Sequence, residues 1–391
     1  MRRPLATVYV KELRDALRDR RTALMIFLAS VLTGPLLLVL MAQFVSSQQD
    51  KVANPKVLIA GQERAPELVN FLRRYDVEIE AAPKDYEARI KQGTTEAVIV
   101  IPEDFAKQMA TGEGAKVELV FDDSRAESST AINQTERLLR AFNHETATLR
   151  LIARGVSPDL LQPLRVERVN TATPRQRGAV ILFIFPVFAI LAPMLGGMTI
   201  AIDSTAGERE RGSLEPLLAN PVPAREFALG KWLAAWTFAC TVAMLTLTGF
   251  TVASLAYAQK KIPSLQAIGV AELAQFLAII IPFAAMTSAL TLLICTFGRS
   301  YREAQTYMSY LVSVVSFVPV VMMLTNMKEA AWQLGVPMLA QQVVLGRVMR
   351  GDATGAIDYL LPAAVAFVVA AICVMGVARQ LTDERVIFGR S

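Results

Sequence analysis

Six long stretches of this chain contain no charged residue, and they restrict its fold more than any other feature of the sequence. They lie at residues 22–45, 179–202, 232–257, 273–297, 304–326 and 359–378. A helix needs about 20 apolar residues to cross roughly 30 Å of hydrocarbon, and each stretch meets that length. The chain is 53% hydrophobic and only 19% charged, which is unusual for a soluble domain. The sequence therefore predicts a polytopic α-helical membrane protein with six transmembrane helices.

Positively charged residues are unevenly distributed around these stretches, and this asymmetry predicts the orientation of the chain. Lysine and arginine are abundant before the first stretch, between the second and third, between the fourth and fifth, and after the sixth. The loops after the third and fifth stretches, on the other side, carry fewer basic residues. We therefore expect both termini on the cytoplasmic side of the plasma membrane, which in bacteria is the inner membrane. The net charge of +5 reflects this asymmetry, and nothing in the chain suggests nucleic-acid binding.

The segment before the first stretch, residues 1–21, predicts an amphipathic helix at the cytoplasmic membrane interface. Leu5, Tyr9, Leu13 and Leu17 recur every four residues, with charged residues on the other faces. An ordinary cytosolic helical arm is the alternative.

The rest of the chain divides into a first span at 22–46, a polar domain at 47–178 and five further spans within 179–391. This last region includes a cytoplasmic loop at 203–231, an outer loop at 328–358 expected to be re-entrant, and a cytoplasmic tail at 379–391.

Residues 47–178 alternate strand-like runs with helical patterns, which predicts a small extracytoplasmic α/β domain between the first and second spans. The strand-like runs lie at 56–60, 77–80, 97–101 and 117–121, and the helical patterns at 66–74, 84–91, 103–109 and 130–154. Asp122, Asp123 and Ser124 follow the last strand, a pattern more typical of a turn than of a catalytic site.

A segment dense in charge, residues 207–221, lies between the second and third spans; we call it the charged segment. Ser213 suits a helix N-terminus, and Asn220-Pro221 suits a helix end. The helix between them carries acidic residues on one side and an apolar face formed by Leu214, Leu217 and Leu218. Such a helix is suited to docking a soluble partner; the alternative is a helix that rests among lipid headgroups.

Most polar side chains of the spans are hydroxyls, and some recur at helical spacing. Thr237, Thr241, Thr248 and Thr251 lie in the third span, and Thr306, Tyr310 and Ser313 in the fifth. Small hydroxylated residues favour close packing of membrane helices. The functional alternative is a polar lining for a translocation path at a dimer interface.

The charged segment lies in the run Asp203-Ser-Thr-Ala-Gly-Glu-Arg-Glu-Arg-Gly-Ser-Leu-Glu-Pro-Leu-Leu-Ala-Asn-Pro, which is followed by Arg225-Glu-Phe-Ala-Leu-Gly-Lys231. These two runs resemble the cytoplasmic loop of ABC type-2 transporter permeases. Residues 11–22, 299–306 and 384–388 also match this family, and the nearest branch is the sodium-export (NatB-type) permeases. With six spans and a large outer domain after the first, the resemblance covers essentially the whole chain.

The resemblance implies a half-transporter, in which the chain pairs with a second copy or a related permease and each docks on a separate ABC ATPase. Residues 207–221 would be the coupling helix, and the helix before the first span would be the family's elbow helix. The implied ATPase contacts are Glu208, Glu210, Glu215, Leu217, Leu218 and Glu303. ATP and Mg would bind to the partner, because this chain has no Gly-x-x-x-x-Gly-Lys-Ser/Thr loop.

Two other functions compete with this interpretation. A membrane receptor or scaffold could sense a ligand with the outer domain, although six spans exceed what a sensor needs. An intramembrane enzyme lacks nucleophile–base or metal-ligand residues in the spans. His144 is the only histidine and is interpreted as a surface residue rather than a metal ligand. The cargo stays open between Na⁺ and lipids, amphipathic drugs or antimicrobial peptides.

Overall fold

The computed structural model describes residues 4–53, 56–122, 124, 128–161, 163–164, 166–167, 169–182, 184–218, 220–258, 268–324 and 327–382. The chain forms two compact units, residues 43–170 and the remainder. The larger unit is helical and contains α1 (Pro4–Arg18), the start of α2 (Arg20–Ala53), α7 (Pro174–Ile181), α8 (Phe185–Ile202), α9 (Glu208–Glu210), α10 (Leu214–Leu218), α11 (Ala224–Ala258), α12 (Val270–Phe297), α13 (Tyr301–Leu324), α14 (Leu339–Arg350) and α15 (Ala356–Gln380).

Five helical stretches within the described residues are long and apolar enough to cross a membrane. They are Arg20–Phe44, Phe185–Glu210, Ala224–Ala256, Val270–Phe297 and Ala356–Gln380. The stretch predicted as a span at 304–326 falls mainly on α13, a helix of 24 residues that is not among these five. The polytopic membrane fold is therefore confirmed, while a total of six spans stays a prediction.

The second of these stretches differs from its predicted position. The sequence places this span at 179–202, but α7 ends at Ile181 and α8 begins at Phe185, with Pro186 in its first turn. At the other end, the helix does not stop at Ile202. It continues through one π-helical turn, Asp203–Gly207, into α9. The first acidic and basic residues of the charged segment therefore extend a membrane helix instead of beginning a loop.

The core of the helical unit is built from aromatic residues on α8, α11 and α12. The rings of Phe185 and Phe250 stack with centroids 3.8 Å apart, and Phe276 packs against Phe185 at 5.4 Å. Helix α2 approaches α11 closely at Gly34, where an added Cβ would lie 2.5 Å from the Cα of Phe250. Small residues allow such close backbone contact between membrane helices.

The outer loop 328–358 contains a one-turn 3₁₀ helix, Ala331–Gly335, followed by α14. Helix α14 has 12 residues and cannot span, since they extend only about 18 Å. Val344, Leu345 and Val348 are buried in the same core as Phe185 and Phe276. The apolar stretch of this loop is thus a helix packed on the membrane helices; its depth in the bilayer stays a prediction.

The smaller unit contains a four-stranded sheet with helices, as the alternating pattern predicts. Its strands are β1 (Lys56–Ala60), β2 (Glu78–Ala81), β3 (Ala97–Val100) and β4 (Glu118–Phe121), in the order β2-β1-β3-β4. Strand β1 is parallel to β2 and β3, and β4 is antiparallel to β3. The helices are α3 (Pro66–Arg74), α4 (Tyr86–Gln92), α5 (Phe105–Thr111) and α6 (Ser128–Ala153).

The core of this unit lies between the sheet and its helices, where Ile59, Leu68, Phe71, Leu72 and Ile99 are each no more than 1% exposed. Phe71 contacts Phe142 of α6 edge to face, with ring centroids 5.4 Å apart. Of the acidic pair expected in a turn after the last strand, Asp122 accepts hydrogen bonds from the amide and hydroxyl of Ser124. Asp123 lies outside the described residues.

Candidate functional site

The N-terminal helix packs directly on α11, and this contact creates the site. Gly230 of α11 has no side chain, and an added Cβ would lie 2.7 Å from Val8 of α1. Val8 and Glu12 are the buried residues of α1, whereas Leu17 is 46% exposed. The packed face is therefore centred on Val8 and Glu12 and not on the predicted leucine stripe. Hydrophobic spacing missed this face because its central residue is a carboxylate.

Glu12 is buried because its charge is neutralised by Lys231. The Nζ of Lys231 lies 2.7 Å from Glu12 Oε1 and 2.6 Å from Glu208 Oε2, and it also donates to the carbonyl oxygen of Ser204 at 2.7 Å. The Lys231 side chain is 1% exposed and the two carboxylates are 4% and 6% exposed. All three ammonium protons are thus used, as a buried charge requires.

Lys11 completes the cluster from the half-exposed side. Its Nζ donates to Glu208 Oε1 and lies 3.1 Å from Glu12 Oε1 and 3.5 Å from Asp15. Burial by itself lowers the pKa of Lys11, but the carboxylates of Glu12 and Glu208 outweigh it and raise the pKa above its ordinary value. Lys11, Glu12, Glu208 and Lys231 form what we call the ion cluster, in which two positive charges balance two negative ones.

The two residues after Glu208 bind other helices. Arg209 donates to the carbonyl oxygens of Gly298 at 2.8 Å and Thr296 at 3.0 Å, at the C-terminal end of α12. A guanidinium is favourable there because the last carbonyls of a helix lack intrahelical donors. Glu210 accepts a hydrogen bond from the amide of Tyr301, at the start of α13. Three successive residues therefore link the charged segment to α1, α11, α12 and α13.

The carboxylate of Glu303 accepts hydrogen bonds in the turn between α12 and α13, which Glu210 also contacts. It accepts hydrogen bonds from the hydroxyl of Tyr307 at 2.6 Å and from the amide of Arg299 at 2.7 Å. These two donors lower the pKa of the Glu303 carboxyl below its ordinary value. Glu210 and Glu303 thus both fix the turn between α12 and α13. From the sequence, both residues are expected only to contact the ATPase.

The rest of the charged segment folds as expected in outline. Helix α10 has Pro216 in its first turn, and the Asn220 side chain donates to the carbonyls of Pro216 and Leu217 at its end. The hydroxyl of Ser213 donates to the Glu208 carbonyl at 3.1 Å, joining α9 to α10. Leu214 is 3% exposed, and Leu217 is partly buried. The side chains of Glu215 and Leu218 lie outside the described part of the structure.

A cavity of about 900 Å³ lies beside the ion cluster, between α1 and the charged segment. Its lining includes Glu12, Asp15, Glu208, Leu217 and Asn220. Arg211, Ser213 and Pro216 also line this cavity, and these three residues, Asn220 and Pro221 are exposed. The charged segment thus combines Glu208, which is fixed by ion pairs, with exposed residues around the cavity that are accessible to a partner.

The candidate path residues are distributed over two helices with different neighbours. Helix α11 packs mainly on α8, α12 and α1, whereas α13 packs mainly on α12 and α8. Thr237 lies within hydrogen-bond distance, 3.2 Å, of the Tyr9 hydroxyl, so it belongs to the contact between α1 and α11. Thr241 and Thr251 donate to carbonyls one turn earlier, while Thr248 is exposed.

On α13, by contrast, the candidate path residues share an exposed face. Thr306, Tyr310 and Ser313 are exposed on the single chain, with Tyr310 at 66%. Thr306 and Ser313 donate to carbonyls of their own helix and keep their acceptor capacity. The chain alone does not assemble the α11 and α13 groups into one lining.

Lys231 and Glu12 are the site residues that sequence reasoning missed. Lys231 was counted as a loop residue before the third span, but α11 begins at Ala224 and makes it a membrane-helix residue. The signal available in the sequence was one lysine within a helical apolar pattern and one glutamate on the inner side of the N-terminal helix. Neither shows its partner, because 219 residues separate them.

Helical spans, an N-terminal helix packed on the membrane unit and an ion-paired loop between two spans define a polytopic α-helical membrane protein. Residues 25–379 match the family described as ABC-2 family transporter protein, and the chain belongs to that family. The resemblance inferred from the sequence is thereby confirmed.

Two relatives illustrate the similarity. The chain is 27% identical to the ABC transporter permease protein NatB of Bacillus subtilis (strain 168) over 325 residues, which cover 81% of each chain. It is 22% identical to the probable multidrug ABC transporter permease YbhR of Escherichia coli (strain K12) over 252 residues, covering 62% of this chain and 64% of YbhR. No solved structure matches significantly.

Proposed function

We propose that the chain is the permease subunit of an ATP-driven ABC exporter and that a separate ATPase docks on the charged segment from the cytoplasm. The observation that carries this proposal is the set of bonds made by Glu208, Arg209 and Glu210, each to a different part of the membrane unit. A surface segment that needed only to connect two helices would not require these bonds.

The arrangement suggests how movement of the ATPase reaches the membrane. The exposed residues around the cavity receive the partner, while Glu208, Arg209 and Glu210 fix the segment to α1, α11, α12 and α13. Buried, fully bonded ion pairs are stiff, because displacing one charge leaves another unpaired at a cost of several kcal/mol. A displacement of the segment therefore moves the attached helix ends together.

The partner supplies the nucleotide chemistry in this proposal. ATP and Mg bind to the ATPase subunit, consistent with the absence of a phosphate-binding loop from this sequence. Both termini lie in the cytoplasm and the smaller unit outside. A second copy pairs with the chain, and the exposed face of α13 with Thr306, Tyr310 and Ser313 lines the path between the copies. A related permease in place of the second copy would preserve the same geometry.

Two cargo classes follow from the nature of that face. Na⁺ is favoured by resemblance to the sodium-export branch, and hydroxyl and carbonyl oxygens are suitable ligands for it. An amphiphile is favoured by the mixture of hydroxyls with Tyr310 and Phe317, which are 66% and 65% exposed. The name of YbhR as a probable multidrug permease supports the second class.

The docking step is tested with Leu217→Asp, which places a charge on the apolar side of α10. We expect loss of co-purification with the ATPase and loss of stimulated ATP hydrolysis. Leu160→Asp is the matched control, because Leu160 is 71% exposed in the smaller unit. Unchanged association in Leu217→Asp would contradict the assigned role of the segment.

The cargo is tested in vesicles that contain both subunits and ATP. Transport of ²²Na⁺ is compared with transport of a fluorescent amphiphile, and the cargo that depends on ATP identifies the class. The receptor or scaffold alternative predicts neither transport nor an associated ATPase, so a stable complex with ATP-dependent transport excludes it.

A further inference from the structure

A second cavity, whose lining begins just after the charged segment, lies between α11 and α15 and has a volume of about 930 Å³. On α15 its lining residues recur on one face of the helix, at positions 367, 371, 374, 375 and 378. On α11 the lining includes Arg225, Leu229 and Trp232. Phe367 and Met375 are 43% and 55% exposed, so the cavity is a groove on the lipid-facing surface of two membrane helices.

The wall of this groove is apolar and rigid. The indole N–H of Trp232 donates to the carbonyl of Ala285 at 2.9 Å, and that of Trp236 to Ile281 at 3.1 Å. The two indole rings stack with centroids 5.4 Å apart, and Trp236 contacts Phe367 edge to face at 6.0 Å. Because both indole donors are satisfied, the rings present only apolar surface to an occupant.

The mouth of the groove is basic. Arg225 and Arg379 line it, and both are exposed. Neither guanidinium has a hydrogen-bond or ion-pair partner within the described ranges, and the lining contains no carboxylate. The groove therefore combines two positive charges, unpaired among the described residues, with an apolar interior.

The length of the groove matches one membrane leaflet. Arg379 and Phe367 are twelve residues apart on α15, about 18 Å along a helix axis. The hydrocarbon core is about 30 Å thick, so one acyl chain extends over roughly half of that distance. Ala371 and Ala378 have small side chains and leave room for an acyl chain between the Phe367 end and the Arg379 end of the groove.

We propose that this groove is a binding site for an anionic phospholipid of the leaflet at the Arg225 and Arg379 ends of the helices. The phosphate headgroup binds the two arginines, and one acyl chain lies along Leu229, Trp232, Val374 and Met375. A basic rim above an apolar interhelical groove is the arrangement that recognises acidic lipid headgroups. All residues of the site come from the single chain.

Tryptophan quenching tests the proposal with the intact chain carrying Trp332→Phe, which leaves Trp232 and Trp236 as reporters. The protein is placed in phosphatidylcholine vesicles that contain chain-brominated phosphatidylglycerol, or in the reverse mixture. We expect phosphatidylglycerol to bind about thirtyfold more strongly than phosphatidylcholine, since each basic group at a membrane surface contributes roughly fivefold. Equal binding of the two lipids, or no quenching because a second copy covers the groove, would overturn the proposal.

Three variants separate this site from general surface charge. The double variant Arg225→Gln, Arg379→Gln should reduce the preference to about one. Arg14→Gln removes the same charge from an exposed position of α1 and should change the preference less than about twofold. Ala371→Phe fills the groove at an exposed position and should reduce quenching by both lipids. A preference that survives the double variant, or falls equally in Arg14→Gln, contradicts the site.

Discussion

The Nζ of Lys231 lies 2.6 Å from Oε2 of Glu208, and both side chains are buried where a membrane helix meets the charged segment. The second carboxylate at this lysine, Glu12, comes from a helix at the other end of the sequence. The charged segment is therefore fixed to the membrane unit through a charge-balanced contact, and not only through the covalent chain.

Replacing Lys231 with methionine tests the contribution of the ion cluster to stability. The variant leaves two buried carboxylates with only half-exposed Lys11 as a countercharge, so we expect the free energy of unfolding to fall by about 3–5 kcal/mol. Thermal unfolding in detergent measures the change. Lys11→Met should cost less than Lys231→Met, because the Lys11 side chain is 38% exposed and water partly replaces its charge.

A triple variant keeps this prediction interpretable. Lys231→Met combined with Glu12→Gln and Glu208→Gln removes all three buried charges, and it should recover much of the stability lost in the single variant. If the single and triple variants unfold at the same temperature, charge imbalance is not the cause of the loss.

Gly230→Ala tests the close approach of α1 to α11. The added methyl group meets Val8 at 2.7 Å, so we expect overpacking to cost about 1–3 kcal/mol. Val8→Ala in the same chain should restore part of that stability by making room. Gly335→Ala is the control, because its added Cβ has no neighbour within 4 Å. Equal melting temperatures for Gly230→Ala and Gly335→Ala would show that the two helices are not packed in this way.

Arg209→Lys tests the link between the charged segment and the end of α12. Lysine keeps the charge but cannot reach two carbonyls as a planar fork, and we expect a loss of about 1.5–3 kcal/mol in stability. If the link transmits movement, transport per ATP hydrolysed should also fall in vesicles with the ATPase. Arg14→Lys, at an exposed position of α1, should leave both quantities near those of the parent chain.

Cysteine cross-linking tests the proposed role of α13. Tyr310→Cys, in a chain whose native Cys240, Cys295 and Cys373 are replaced by serine or alanine, should form a disulfide between two copies under mild oxidation. Met308→Cys should not, since Met308 is fully buried within one copy. Cross-linking of Met308→Cys and not of Tyr310→Cys would place a different face at the interface.

Several features of the fold were predictable because local patterns determine them. The strand β1 and the helix α3 begin and end where the sequence predicts, since alternating and helical periodicities were clear there. The ends of membrane helices were less predictable. The helix after Phe185 continues to Glu210 because Glu208 and Arg209 have partners on other elements, and hydropathy alone marks such residues as loop.

The sequence by itself determined that this is a membrane protein of helices with a small α/β unit, and it located the charged segment. Apolar length, alternation and a family motif are properties of neighbouring residues. Only the tertiary structure decided that Lys231 binds Glu12 and Glu208, and that Arg225 and Arg379 share one groove. These pairings depend on which helices pack together, and a buried charge becomes acceptable only when a distant part of the chain supplies its counterion.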